Sequence, residues 1–179
     1  MALKLSSRAE SAYRLQQYGG AKTIDGVVKI PLKRFNDEGG SMIELMRLPQ
    51  PAEALADFKL EQMNYSVLEP GVVKAFHVHR GQTDVWFVPP EDRVLLILAD
   101  QREGSASLDV VQRIVLGDGN ASMIVIPPGV AHGCRNIGAD PARIIYYTDR
   151  LFSADPDHCD EGRLPWDFFG AEIWETPWD

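Results

Sequence analysis

Apolar and polar positions alternate along most of this chain, and a helical period shows only near its start. Short apolar runs at 71–79, 84–88, 93–99, 109–115, 122–126 and 143–148 are separated by Gly, Pro, Asp or Asn, the pattern of strands joined by tight turns. The runs Val94–Ala99 and Met123–Ile126 are apolar on both faces, as strands central to a sandwich are. Upstream, Gly26–Ile30 opens the strand series, Phe35–Gly40 reads as a turn, and residues 42–46 alternate again. Residues 4–18 predict a helix, with Ser7-Arg8-Ala9-Glu10 as a capping box and Gly19-Gly20 as its stop. Pro51–Asp57 predicts one helical turn with proline in its first position. Gly117-Asp118-Gly119-Asn120 reads as a hairpin turn, since no helix follows to make it a phosphate loop. Many short strands at this spacing mean an all-β sandwich or barrel. The expected organisation is a helical appendage over residues 1–20 and one domain over 21–179. That domain closes with a wrapping tail rich in aromatics (Trp166, Phe168, Phe169, Trp174, Trp178).

Composition narrows the setting. A chain of 179 residues with 45% hydrophobic content can bury a substantial single core. The net charge of −8 argues against nucleic acid or an anionic membrane as partner, so any phosphorylated ligand must be met by a local cluster of Lys or Arg. The two cysteines, Cys134 and Cys159, have no ligand-like spacing and suit a reducing compartment. The first residues lack the apolar core of a signal peptide, and no apolar run reaches membrane-spanning length. A cytoplasmic location is the expectation.

The candidate chemistry lies in two stretches. Gly71–Asp84 carries His77 and His79 at strand spacing and then Asp84, and Pro127–Asn136 leads through a Pro-Gly turn into His132. Three imidazoles and an acid converging inside a β-barrel can either hold a metal or move a proton. By simple alternation, Val73, Ala75, His77 and His79 share one face of the strand, and Val72, Lys74, Phe76 and Val78 the other.

The paired stretches resemble the two motifs of the cupin superfamily, which implies a double-stranded β-helix, a jelly-roll variant. Metal-binding cupins use two histidines, an acid and a late histidine, here His77, His79, Asp84 and His132, a set suited to a divalent transition metal. A longer resemblance runs in order over much of the chain. It takes in Asp37–Glu44, Gln62-Met63-Asn64-Tyr65-Ser66, Gly71–His77, Pro127–Gly133, Ile144–Asp149, Glu161–Asp167 and Ile173-Trp174. In these segments the chain is similar to the dTDP-4-dehydrorhamnose 3,5-epimerase group of cupins, cofactor-free enzymes of deoxysugar and polysaccharide biosynthesis.

That resemblance implies a nucleotide-diphosphate sugar as substrate and a proton removed from carbon α to its C4 ketone. His77 is then the base and Tyr146 the acid on the opposite face, while Glu44, Gln62, Asn64 and Lys74 hold nucleotide and phosphates and His132 lies near the sugar. A homodimer is also implied. Two of the group's functional residues have no visible counterpart: a lysine after the histidine strand, where Gln82 and Thr83 stand, and an aspartate near the end of the chain. Either Asp84 is the substitute that orients His77, or the pair is absent. Two other readings follow from the same residues: a metal-dependent cupin isomerase or dioxygenase using His77, His79, Asp84 and His132, and a non-catalytic cupin that binds sugar nucleotides.

Overall fold

The structure, a computed structural model, describes residues 3–15, 20, 22–47 and 52–176. Two five-stranded antiparallel sheets face each other and enclose the core. The strands, in chain order, are β1 (Val28–Pro31), β2 (Arg34–Asp37), β3 (Gly40–Ile43), β4 (Gln62–Leu68), β5 (Val73–Val78), β6 (Asp84–Phe87), β7 (Arg93–Asp100), β8 (Val111–Gly117), β9 (Ser122–Ile126), β10 (Val130–Asn136), β11 (Ala142–Thr148) and β12 (Gly162–Arg163). One sheet runs β1-β9-β6-β11-β4 and the other β12-β5-β10-β7-β8, while β2 and β3 form a separate hairpin. This is the all-β sandwich that the strand spacing predicts, in the jelly-roll form that the resemblance implies.

The main core fills the space between the sheets with Leu96, Leu98, Ile124, Ile126 and Ile144, all essentially buried. A second cluster lies behind β5 and β7, where Phe76, Leu95 and Ile97 pack against Trp174 from the chain's end. The closing segment therefore wraps the histidine strand from outside. Trp174 packs there at 3% exposure, whereas Trp166 stays half exposed; Trp178 lies outside the described residues. Gly117 and Gly119 adopt positive φ, 74° and 82°, as a tight turn between β8 and β9 requires.

Several expectations change. The helix α1 covers only Ser7–Ala12, capped by Ser6, whose hydroxyl accepts from the Ala9 amide at 3.3 Å, and it buries no residue. Six residues with no apolar face against the core lack the packing that sustains helices, so Tyr13–Leu15 leave it; residues 16–19, with the stop expected there, lie outside the described set. The turn near Pro51 is a 3-10 turn over Glu53–Leu55, with Pro51 itself outside the described residues. Phe35–Asp37 are strand, with the turn confined to Glu38-Gly39. Residues 130–136 form a full central strand where only a turn into His132 was expected; β10 pairs on both sides, with β5 and β7.

Candidate active site

The site is made where β5 loses strict alternation. Against β10, His77 pairs with His132 but Lys74 pairs with Cys134, so two steps on β10 face three on β5 and a bulge lies at Ala75-Phe76. The extra residue shifts the pattern by one. Lys74, His77 and His79 all line the same cavity, while Ala75 and Phe76 face the Trp174 cluster behind the sheet. This corrects the simple alternation, which puts Lys74 on the face opposite His77. The bulge needs a glycine opposite it: a Cβ on Gly133 would lie 2.5 Å from the Ala75 Cβ and 3.0 Å from the Trp174 ring.

The cavity has a volume of about 660 Å³, within the range of small-molecule sites. His77 and Lys74 come from one sheet; Gln62, Asn64, Asp84, Trp86 and Tyr146 come from the other. Register explains the second wall, because Tyr146 lies beside Asn64 on β4 and Trp86 on β6, and Thr148 beside Gln62. Leu151, Phe152, Asp160, Glu161 and Arg163, from the excursion after β11, complete the rim.

His77 Nδ1 stands 3.4 Å from Glu161 Oε1, and Arg163 donates to the same oxygen at 2.5 Å. Burial above all, then repulsion from His132 and Arg163, holds the His77 pKa at about 4 against the opposing pull of Glu161. The imidazole is therefore neutral at neutral pH and has a lone pair to offer. Sequence reasoning missed Glu161 as the histidine's partner. Asp84, the substitute considered for that role, is turned to His79 and His132 instead, its oxygens 3.9 and 3.4 Å from their Nε2 atoms.

Asp84 is almost wholly buried. Burial alone would raise its pKa, but His132, His79 and the Gln82 amide outweigh that and hold it at about 2. Gln82 donates to Oδ1 at 2.7 Å and the Trp86 indole to Oδ2 at 3.1 Å. Tyr146 has its pKa raised by burial first and then by Asp84 and Glu161, so its phenol stays protonated and able to donate. Burial also pushes the Cys134 thiol up to about 12, which removes it as a nucleophile.

The predicted binding residues divide. Lys74 donates to Ser66 Oγ and the Val67 carbonyl, at 3.1 and 3.2 Å, and lines the cavity wall. Gln62 donates to Asn64 at 2.8 Å and accepts from the Phe152 amide at 2.9 Å. His132 lies buried beneath the lining, its ring 5.8 Å from that of His77. Glu44 is not brought in: it is paired with Arg47 at 3.3 Å and lines none of the cavity. Of the four-residue metal set, His79, Asp84 and His132 come together, with donor atoms within 4.8 Å of one another, and His77 stands outside. Arg143 is bound to Asp92 and forms no part of the site.

Two facing antiparallel sheets with a histidine strand opening onto the space between them define a cupin-type jelly roll. Residues 21–167 match the family model for dTDP-4-dehydrorhamnose 3,5-epimerase, and the chain belongs to that family of sugar epimerases. It is 40% identical over 144 residues to the spore coat polysaccharide biosynthesis protein SpsL of Bacillus subtilis, covering 80% of this chain and 91% of that one. It is 34% identical over 132 residues to a probable low-salt glycan biosynthesis epimerase, Agl13, of Haloferax volcanii, covering 73% and 81% of the two chains. Among solved structures it is similar to NovW, a 4-keto-6-deoxy sugar epimerase from the novobiocin biosynthetic gene cluster of Streptomyces spheroides. That match has a TM-score of 0.72 and 25% identity, over 91% of this chain and 79% of that one.

Proposed function

We propose that this protein epimerises a nucleotide-diphosphate 4-keto-6-deoxyhexose by removing and returning a proton at carbon next to the C4 ketone. The observation that carries the reading is the opposition of His77 and Tyr146 on the two walls of one cavity, a neutral base on one and a protonated phenol on the other. Inversion requires a proton to leave from one face and arrive at the other, so base and acid must stand on opposite sides. Glu161 is the positioning residue for His77: its carboxylate faces Nδ1 at 3.4 Å, which favours the ring proton on that nitrogen and leaves Nε2 as the base, and it steadies the imidazolium formed on proton transfer. Lys74 and Arg163 are the cavity cations suited to the diphosphate, with Gln62 and Asn64 beside them for the nucleotide. The exchange of a proton uses no redox or group-carrying cofactor.

The test is solvent exchange. With an NDP-4-keto-6-deoxyhexose in deuterium oxide, the protein should incorporate deuterium at C3 or C5, and His77→Ala should incorporate none. Absence of exchange with every such substrate, in a protein that binds them, would leave only the binding role. The nucleotide-sugar ligand, a homodimeric assembly and a cytoplasmic setting belong to the same reading. Consistent with it, no helix among the described residues is long and apolar enough to cross a membrane.

A further inference from the structure

At the cavity rim, Arg163 and His77 compete for one carboxylate oxygen. Phe76 and Leu164 exchange both backbone hydrogen bonds, at 3.1 and 3.0 Å. The next pair along, His77 opposite Arg163, is therefore of the closely spaced kind, whose side chains crowd one face. Glu161, two residues before Arg163, lies diagonally across from His77 on that face. Its Oε1 accepts from Arg163 Nη2 at 2.5 Å and faces His77 Nδ1 at 3.4 Å. The charge-assisted bond is the short one, and the contact that fixes the base's tautomer is the long one. Arg163 has no other partner among the described residues; its side chain is 60% exposed and lines the cavity. Lys74, the other cation of the lining, is anchored elsewhere, on Ser66 and Val67.

We propose that Arg163 is a positioning residue that couples diphosphate recognition to the base: a bound diphosphate draws its guanidinium off Glu161, and Glu161 then closes on His77 Nδ1. The inference rests on the nucleotide-diphosphate substrate proposed above. A guanidinium forms paired bonds with phosphate oxygens, and these outcompete its single bond to one carboxylate oxygen on a half-exposed edge strand. Freed of that competitor, Glu161 Oε1 can shorten its contact to His77, hold the ring proton on Nδ1 and leave Nε2 as the base. A sugar that lacks the diphosphate leaves Arg163 on Glu161 and the His77 contact long. Binding energy from a part of the substrate that does not react is thus converted into alignment at the reacting centre. A 4-keto sugar without its diphosphate is then a poor substrate in kcat, not only in KM.

The test reads the histidine ring directly and needs no turnover. Proton–nitrogen NMR spectra of the His77 ring are recorded at constant pH with and without dTDP, UDP or inorganic pyrophosphate. A bound diphosphate should move the Nδ1–H proton downfield, as a shortening hydrogen bond does. Arg163→Met, with neither charge nor donor, should show the downfield position in the free protein. Lys74→Ala should bind the diphosphate more weakly yet reach the same shift at saturation. Deuterium exchange supplies the kinetic arm: removing the diphosphate from the 4-keto-6-deoxyhexose should lower the saturated exchange rate at least ~10-fold in wild type and hardly at all in Arg163→Met. A diphosphate that binds without moving the His77 signal overturns the inference and leaves the substrate reading in place. So does an Arg163→Met protein that keeps the wild-type dependence on the diphosphate. Failure of all three probes to bind overturns both. A shift as expected, with no exchange into any 4-keto sugar, keeps the inference and removes the epimerase reading.

Discussion

His77 Nδ1 and Glu161 Oε1 face each other at 3.4 Å, although 84 positions separate them in the chain, because β12 pairs Arg163 with His77. The pairing gives Glu161 the work of fixing the ring's tautomer. Glu161→Gln should lower kcat by about 10²-fold with KM little changed, since positioned acid–base groups contribute on that order. Glu161→Asp should restore part of the rate, because the carboxylate survives on a shorter stem. Steady-state kinetics on the three proteins decides it; a loss confined to KM would assign Glu161 to binding instead.

Base and acid should separate by isotope. His77→Ala is expected to lose exchange entirely. Tyr146→Phe should still wash deuterium into the substrate while losing at least ~10²-fold in epimer formation, because the proton can leave but cannot be delivered to the other face. Mass spectrometry for exchange and NMR for configuration separate the two events. Equal loss of both in Tyr146→Phe would place the tyrosine elsewhere in the mechanism.

Lys74 sits at the cavity wall with its ammonium tied, among the described residues, only to Ser66 and Val67. Lys74→Ala should raise KM roughly tenfold, equivalent to about 1.4 kcal/mol, and leave kcat within a few-fold. Initial rates across a substrate series measure the split.

The bulge on β5 gives a stability prediction. Gly133→Ala drives a methyl into Ala75 and Trp174, so it should cost about 1–3 kcal/mol in urea unfolding. It should also lower activity, because Ala75 is two residues from His77. Unchanged stability would mean that the strand can slide to admit the methyl.

Asp100 supplies the acid limb of stability. Its buried carboxylate accepts from Arg102 Nε and Nη2, both at 2.8 Å, and from Ser105 and Ser107, both at 2.6 Å. The Arg102 guanidinium beside it holds its pKa well below the ordinary 3.8. A depressed carboxyl stabilises the fold above its unfolded pKa, and that contribution drains away as pH falls through the ordinary range toward the folded value. Asp100→Asn should cost about 2 kcal/mol at pH 7 and flatten the decline in stability below pH 4. Urea midpoints from pH 2.5 to 7 test both.

Strand positions in this chain were legible because period-2 patterning survives in β8, and because β7 and β9, buried on both faces, read as short unbroken apolar runs between turns. The histidine pair and Asp84 stood out by their spacing, and Tyr146 by the family resemblance of its strand. Lys74 shows where that logic stops, since the bulge that turns it into the cavity depends on Gly133 of a different strand. Glu161 lay in a quoted motif, yet its meeting with His77 comes from β12 lying along β5, which no local pattern encodes. Glu44 fitted a motif and still lies outside the cavity, because the chain after β3 turns it toward Arg47. Helix α1 kept its capping signal and lost its length, for want of anything to pack on.

Trp174 behind the histidine strand has a consequence for biosynthesis. Asp160 and Glu161 orient His79 and His77, and Trp174 packs on Phe76 behind them. A ribosome that has delivered β1 to β11 has made every proposed proton-handling group but not the parts that aim them. Competence arrives only with the residues that follow β11, so a chain stopped there would carry the proposed base and acid without the groups that orient the histidines.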